Sequence, residues 1–167
     1  MKNQLLTFLL IAFVFNSFGQ DSLKLQTTDE LGEAVFLAFK KTDFELFGSL
    51  LLSESKFNFI LNDLDIADSL KQVFRAQGKG AVLHLKSQSK ENFNHVLTIA
   101  EEYNLNWGKA KIVEIIQESR DQMGIIRSDV TVKIESEGHS YFLFLRSCHK
   151  SDTWCIANDV RLSNYSE

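Results

Sequence analysis

From residue 110 onward, apolar and polar residues alternate with period two in four runs, 110–119, 125–136, 140–150 and 153–162, each bounded by turn residues. This pattern predicts four consecutive β-strands. Glu137-Gly138 suits a two-residue hairpin turn, because glycine has no Cβ and tolerates positive φ. Closing the hairpin there sets Ile134, Val132 and Val130 opposite Tyr141, Leu143 and Leu145 on one face. On the other face Lys133, Thr131 and Asp129 meet Phe142, Phe144 and Arg146. A one-residue slip would scramble both faces, so the sorting itself supports the register. A turn at Gln122-Met123 puts Ile115 opposite Val130, Val113 opposite Val132 and Glu118 opposite Arg127. A turn at Ser151-Asp152 puts Leu143 opposite Val160, Leu145 opposite Asn158, His149 against Trp154 and Cys148 directly across from Cys155. The product is an antiparallel meander with one apolar face, which in water needs a cover drawn from upstream.

Upstream the period changes to 3.6. Thr27 and Glu30 are spaced as a capping box, and Leu31, Ala34, Val35, Ala38 and Phe39 follow on one helical face. Thr42 and Glu45 repeat the spacing and open a second helix with Phe44, Phe47, Leu50 and Leu51 inward. Residues 53–63, where Phe57, Phe59 and Leu61 alternate with polar neighbours, read as a short strand or an ordered connector. Residues 65–77 read as a helix ended by Gly78 and Gly80, 81–85 are ambiguous, and 89–104 form the clearest helix, with Phe93, Val96, Leu97, Ala100 and Tyr103 in one stripe.

Helices first and an antiparallel sheet last define an α+β fold in a single domain over residues 20–167. This order, the AFKKTDFELF transition between the first helices and the closing DTWCIANDVRL strand resemble the NTF2-like, cystatin-like superfamily. The resemblance implies N-terminal helices packed on a curved four-stranded meander, a cone with a hollow at its wide end. It does not carry protease inhibition, since the Gln-x-Val-x-Gly loop of cystatins is absent. Nor does it carry isomerase activity, since the Tyr and Asp constellation of ketosteroid isomerase relatives has no match.

The first nineteen residues read as a signal peptide: Lys2, then an apolar run from Leu5 to Phe15 broken only by Thr7, then Ser17 and Gly19 ahead of a cut before Gln20. Eleven residues are too few to span a bilayer, which takes about twenty. The expectation is a secreted or periplasmic chain with no membrane span after cleavage. The Phe18-Gly19-Gln20 ending and the preference for lysine over arginine resemble exported proteins of Bacteroidetes. The formal charge of −4, without a basic cluster, lacks the electrostatic footprint that nucleic acid requires.

In an oxidising compartment the opposed Cys148 and Cys155 are expected to form a disulfide, stabilising by about 2.5 kcal/mol. The four histidines are scattered without metal-ligand spacing, Asp63, Asp65 and Asp68 fit helix-start capping better than a calcium loop, and no metal or cofactor is expected. Trp107, Tyr141, Ser147, Trp154 and Asn158 are candidates to line the implied hollow and orient a small ligand. Phe142, Phe144, Arg146 and Arg161 lie on the mixed face with Asp129 and Asp159, either as a solvated charge lattice or as a protein interface, including a homodimer through the sheet. No catalytic residue is assigned, because no acid–base pair is identifiable by spacing. Three functions stay open: a non-catalytic binding module for a small molecule or a protein, a cofactor-independent lyase or isomerase with an acid such as Asp159 in the cone, and a secreted interaction or inhibitor protein.

Overall fold

The computed structural model describes residues 25–122 and 124–165; the leader read at 1–19 and its cut before Gln20 lie outside them. Four helices, α1 (Thr28–Lys40), α2 (Phe44–Leu50), α3 (Glu54–Asp63) and α4 (Asp68–Glu102), precede five strands. These are β1 (Lys111–Gln122), β2 (Ile125–Ser136), β3 (His139–Lys150), β4 (Trp154–Ile156) and β5 (Val160–Ser163). The fold is α+β, and the antiparallel sheet is curved and open. β1, β2 and β3 are neighbours in order, and β4 and β5 follow one another along the far edge of β3.

The capping box at the start of α1 is complete: Thr27 Oγ1 accepts the Glu30 amide at 3.1 Å and Glu30 Oε2 accepts the Thr27 amide at 3.1 Å. At its other end Thr42 adopts φ +54°, its amide bonding Phe39 O while the Asp43 amide bonds Ala38 O at 2.8 Å. This left-handed closure uses up Thr42, so the cap of α2 is Asp43, whose Oδ1 accepts the Leu46 amide, and not the Thr42 expected from spacing. Asn104 at φ +57° closes α4 in the same way, with the Leu105 amide on Ala100 O.

Two upstream readings are corrected. Residues 53–63 are not a strand or connector: Ser53 caps α3, and Phe57, Ile60, Leu61 and Leu64 recur at helical spacing. Gly78 and Gly80 do not end a helix, and residues 81–85 join what reads as two helices into one of 35 residues, about 50 Å long. Its second half buries Ser89, Phe93, Val96 and Ala100, whereas in the first half only Gly78 and Val82 are buried. Gly78 is kept for space, because the Phe57 ring occupies the volume a β-carbon would need.

The β2–β3 register is the expected one from Ile134↔Tyr141 to Val130↔Leu145, with Glu137 and Gly138 at φ +53° and +84° in the turn. Tyr141, Leu143 and Leu145 face the helices and are buried. β1 is shifted by two residues from expectation, because Gln122 pairs with Ile125 and Gly124, at φ +82°, takes the turn; Ile115 faces Val132 and Glu118 faces Asp129. A bulge between Ile112 and Glu114 also turns Val113 out of the apolar face, and it is half exposed.

The last expected strand is broken into β4 and β5. Ser151 accepts the Thr153 amide on its hydroxyl and donates its own amide to Thr153 O, so the connection takes three residues, and Lys150, not His149, faces Trp154. Cys148 then lies across from Ile156 and Cys155 across from His149. Neighbouring positions alternate faces, so the two thiols point to opposite sides of the sheet, and both cysteines are free. The expected disulfide is thereby corrected.

The core lies between α1, α2, the second half of α4 and the sheet. Phe36, Phe39, Phe44, Phe47, Phe93 and Trp107 form one aromatic cluster there, Phe39 stacking on Phe93 at 4.8 Å and on Trp107 at 5.9 Å. The far edge of the sheet is covered: Leu25 O accepts the Trp154 amide, Ile156 O accepts the Leu52 amide, and the Asn92 side chain bonds both Val160 N and Val160 O.

Candidate functional site

Two irregularities at one level of the sheet prepare the site. β2 shifts register between Ser128 and Val130, and β3 carries Ser147 at φ +53°. Asp129 Oδ1 accepts the Ser147 amide at 2.8 Å, which locks one bulge to the other, and Asp129 Oδ2 lies 3.5 Å from Arg146 Nη1. Beyond the bulges Ser128 and Cys148 take the buried core side, and Arg127, His149 and Cys155 fall on the opposite side.

That opposite side is covered by α3. After α2, Leu51 bridges to Ile156 at the sheet edge, and α3 then runs back toward the free ends of β2 and β3. A half-open cavity of about 280 Å³ lies here. Phe57 and Leu61 of α3, Leu64 and Ile66 of the following turn, and Phe74 of α4 form its apolar wall; Ile125, Arg127 and His149 close it from the sheet.

Its polar groups sit on two paired residues, since Arg127 and His149 oppose one another across the ladder. Both are half-buried. Among the described residues no carboxylate lies within ion-pair distance of the Arg127 guanidinium, and neither ring nitrogen of His149 has a hydrogen-bond partner. Burial first, and the Arg127 charge second, hold His149 below the ordinary histidine pKa of 6.5, so near neutral pH its ring is uncharged, with one N–H donor. The neighbouring carboxylates are engaged elsewhere: Asp129 with Ser147 and Arg146, and Glu118 with Arg120 at 3.7 Å. Cys155, beside His149, is pushed up to about 11, chiefly by burial, and Cys148 is raised further for the same reason, so neither thiol supplies a thiolate nucleophile.

The five residues expected to line a hollow do not converge. Trp107 belongs to the aromatic cluster, its Nε1 buried without a partner. Tyr141 is buried with its hydroxyl on Tyr103 O at 3.2 Å, Trp154 is buried at the sheet edge, and Ser147 forms the bulge. Asn158 is exposed on a second cleft of about 320 Å³, near His84 and Asp159. There Asp159 Oδ2 accepts Arg161 Nε at 2.5 Å.

On the mixed face the expected charges do meet. Arg146 reaches Asp129 and lies 5.4 Å over the Phe144 ring, and Phe142 stacks beside Phe144 at 6.3 Å. Phe144 itself is only 4% exposed, so that face presents Arg146, Phe142 and Arg161 and not an open phenylalanine pair. Among the described residues no group of histidine, cysteine and carboxylate side chains is placed to hold a metal, and no helix is long and apolar enough to cross a membrane.

Sequence reasoning missed Arg127, His149 and Phe57 as partners. The signal was present in the spacing of Phe57, Ile60, Leu61 and Leu64, which marks a helix with an apolar face. No family model, no curated protein and no solved structure matches this chain.

Proposed function

We propose that this protein is an exported, non-catalytic binding module of NTF2-like descent that holds a small, largely apolar ligand between α3, α4 and the free ends of β2 and β3. Descent and export rest on the order of helices and strands and on the leader pattern of the first nineteen residues. The observation that carries the binding reading is the cavity itself: five apolar side chains on one wall, and on the other, beside Ile125, two half-buried polar residues whose side chains have no hydrogen-bond or ion-pair partner among the described residues. Concave apolar space with a few convergent polar groups is what small-molecule sites present. A catalytic reading has less to stand on, because the cavity contains one neutral imidazole, no carboxylate and no thiolate.

The test is titration of the mature chain with 1-naphthylamine, a fluorophore of eleven non-hydrogen atoms that is uncharged near neutral pH and of a size the cavity admits. Saturable enhancement is expected in the parent protein and is lost in Ile125→Trp, which fills the cavity from the sheet side. A protein that gives no saturable signal, or an Ile125→Trp variant that binds as well as the parent, removes this reading. Export is checked separately by the N-terminus of protein recovered outside the cytoplasm, expected at Gln20.

A further inference from the structure

We infer that the ligand is a small monocarboxylate with an aliphatic or aryl body, its carboxylate held by Arg127 and His149 and its body lying on Phe57, Leu61 and Phe74. This rests on the cavity being a binding site and adds the chemistry of the occupant. Size sets the first limit: about 280 Å³, at a share of ~30 Å³ per water-sized unit, admits on the order of ten non-hydrogen atoms. Octanoate and phenylpropanoate are of that size.

Charge sets the second. Arg127 is the one charged residue that lines the cavity, and it also borders a smaller pocket beside it, lined with Glu118, Arg120 and Asp129. Glu118 lies 3.7 Å from Arg120 and Asp129 lies 3.5 Å from Arg146, which leaves Arg127 without an ion pair among the described residues. A guanidinium offers a planar fork of donors that matches a carboxylate, and hydrogen bonds between ionised partners are about twice as strong as neutral ones. A cationic head group would meet Arg127 without a counter-charge. A neutral head group would accept a weaker hydrogen bond and leave the guanidinium charge uncompensated. His149, as a neutral ring directly across the ladder, can add an N–H donor to the same oxygen pair.

The test displaces the bound neutral fluorophore with octanoate, 1-octanol or octylammonium near neutral pH. Octanoate is expected to act at a concentration at least about tenfold lower than 1-octanol, with octylammonium weakest. Arg127→Gln should bring octanoate down to the level of 1-octanol without changing 1-octanol, and Arg127→Lys should keep part of the preference. If octanoate and 1-octanol displace equally from the parent protein, the head-group inference is overturned while the cavity remains a site. A preference that survives in Arg127→Gln overturns it too, since another group would then hold the carboxylate. If the fluorophore does not bind at all, the cavity reading and this one fall together.

Discussion

The Phe57 ring lies in the space that a side chain on Gly78 would fill, so the crossing of α3 on α4 is set by a phenyl group seated on bare helix backbone. Glycine inside a helix costs about 1 kcal/mol relative to alanine, and here the cost is offset by close approach of the two helices.

Gly78→Ala and Gly80→Ala should therefore differ in sign. At Gly80 nothing lies near the added methyl group, and alanine should stabilise by about 0.5–1 kcal/mol. At Gly78 overpacking costs about 1–3 kcal/mol, which exceeds that gain, and Phe57 must swing into the cavity it lines. Urea denaturation should show the opposed shifts, and fluorophore binding should fail only in Gly78→Ala.

Both thiols should be silent in the folded protein. Each is fully buried, and burial raises both pKa values, so alkylation by iodoacetamide at pH near 8 should be negligible until denaturant is added, when two thiols per chain react. Exposure to oxidant under native conditions should give no two-dalton mass loss, because Cys148 and Cys155 point to opposite faces.

Stability should fall with acidification through His149. Its folded pKa is depressed below the ordinary value of 6.5, so the unfolded chain binds the extra proton first. The folded state is thus favoured above about pH 6.5 and loses ground as pH falls below it. His149→Gln should flatten the slope of unfolding free energy between pH 7 and pH 5.5. Arg127→Gln should flatten it partly, since it removes the smaller of the two causes.

Asp129 should matter more than its place among surface charges suggests. Its side chain is 22% exposed and accepts from the Ser147 amide and faces Arg146. Asp129→Ala should cost about 1.5–3 kcal/mol, because the amide of a left-handed residue loses its acceptor. Asp129→Asn keeps that acceptor and loses the charge, and should cost less than half as much. Chemical denaturation of the two variants makes the comparison.

Alternation was enough to read the middle of the sheet. Ile134, Val132 and Val130 find Tyr141, Leu143 and Leu145 because glycine follows an acid at Glu137-Gly138 and only one register buries one face. The edges were not readable this way. A serine that bonds across to Thr153 adds one residue to a turn, and that single residue separates the cysteines onto two faces. Local spacing could not show that Thr42 would close one helix and so yield the cap of the next to Asp43, nor that Gly78 would sit under a ring and not at a helix end. The candidate site depends on both bulges, and bulges leave little trace in a two-residue period. Arg127 and His149 therefore looked like ordinary alternating polar positions.

The covering of the far sheet edge by Leu25, Leu52 and Asn92 has a colloidal consequence. β1 is paired on one side only, by β2, so strand pairing of one molecule with another has an edge to start from there. Its flank carries Lys111, Glu114, Glu118 and Arg120, charges of both signs that discourage sticky contact but leave Val113 and Ile116 as the foothold. A lysine at Ile116 would be the economical way to keep concentrated solutions clear.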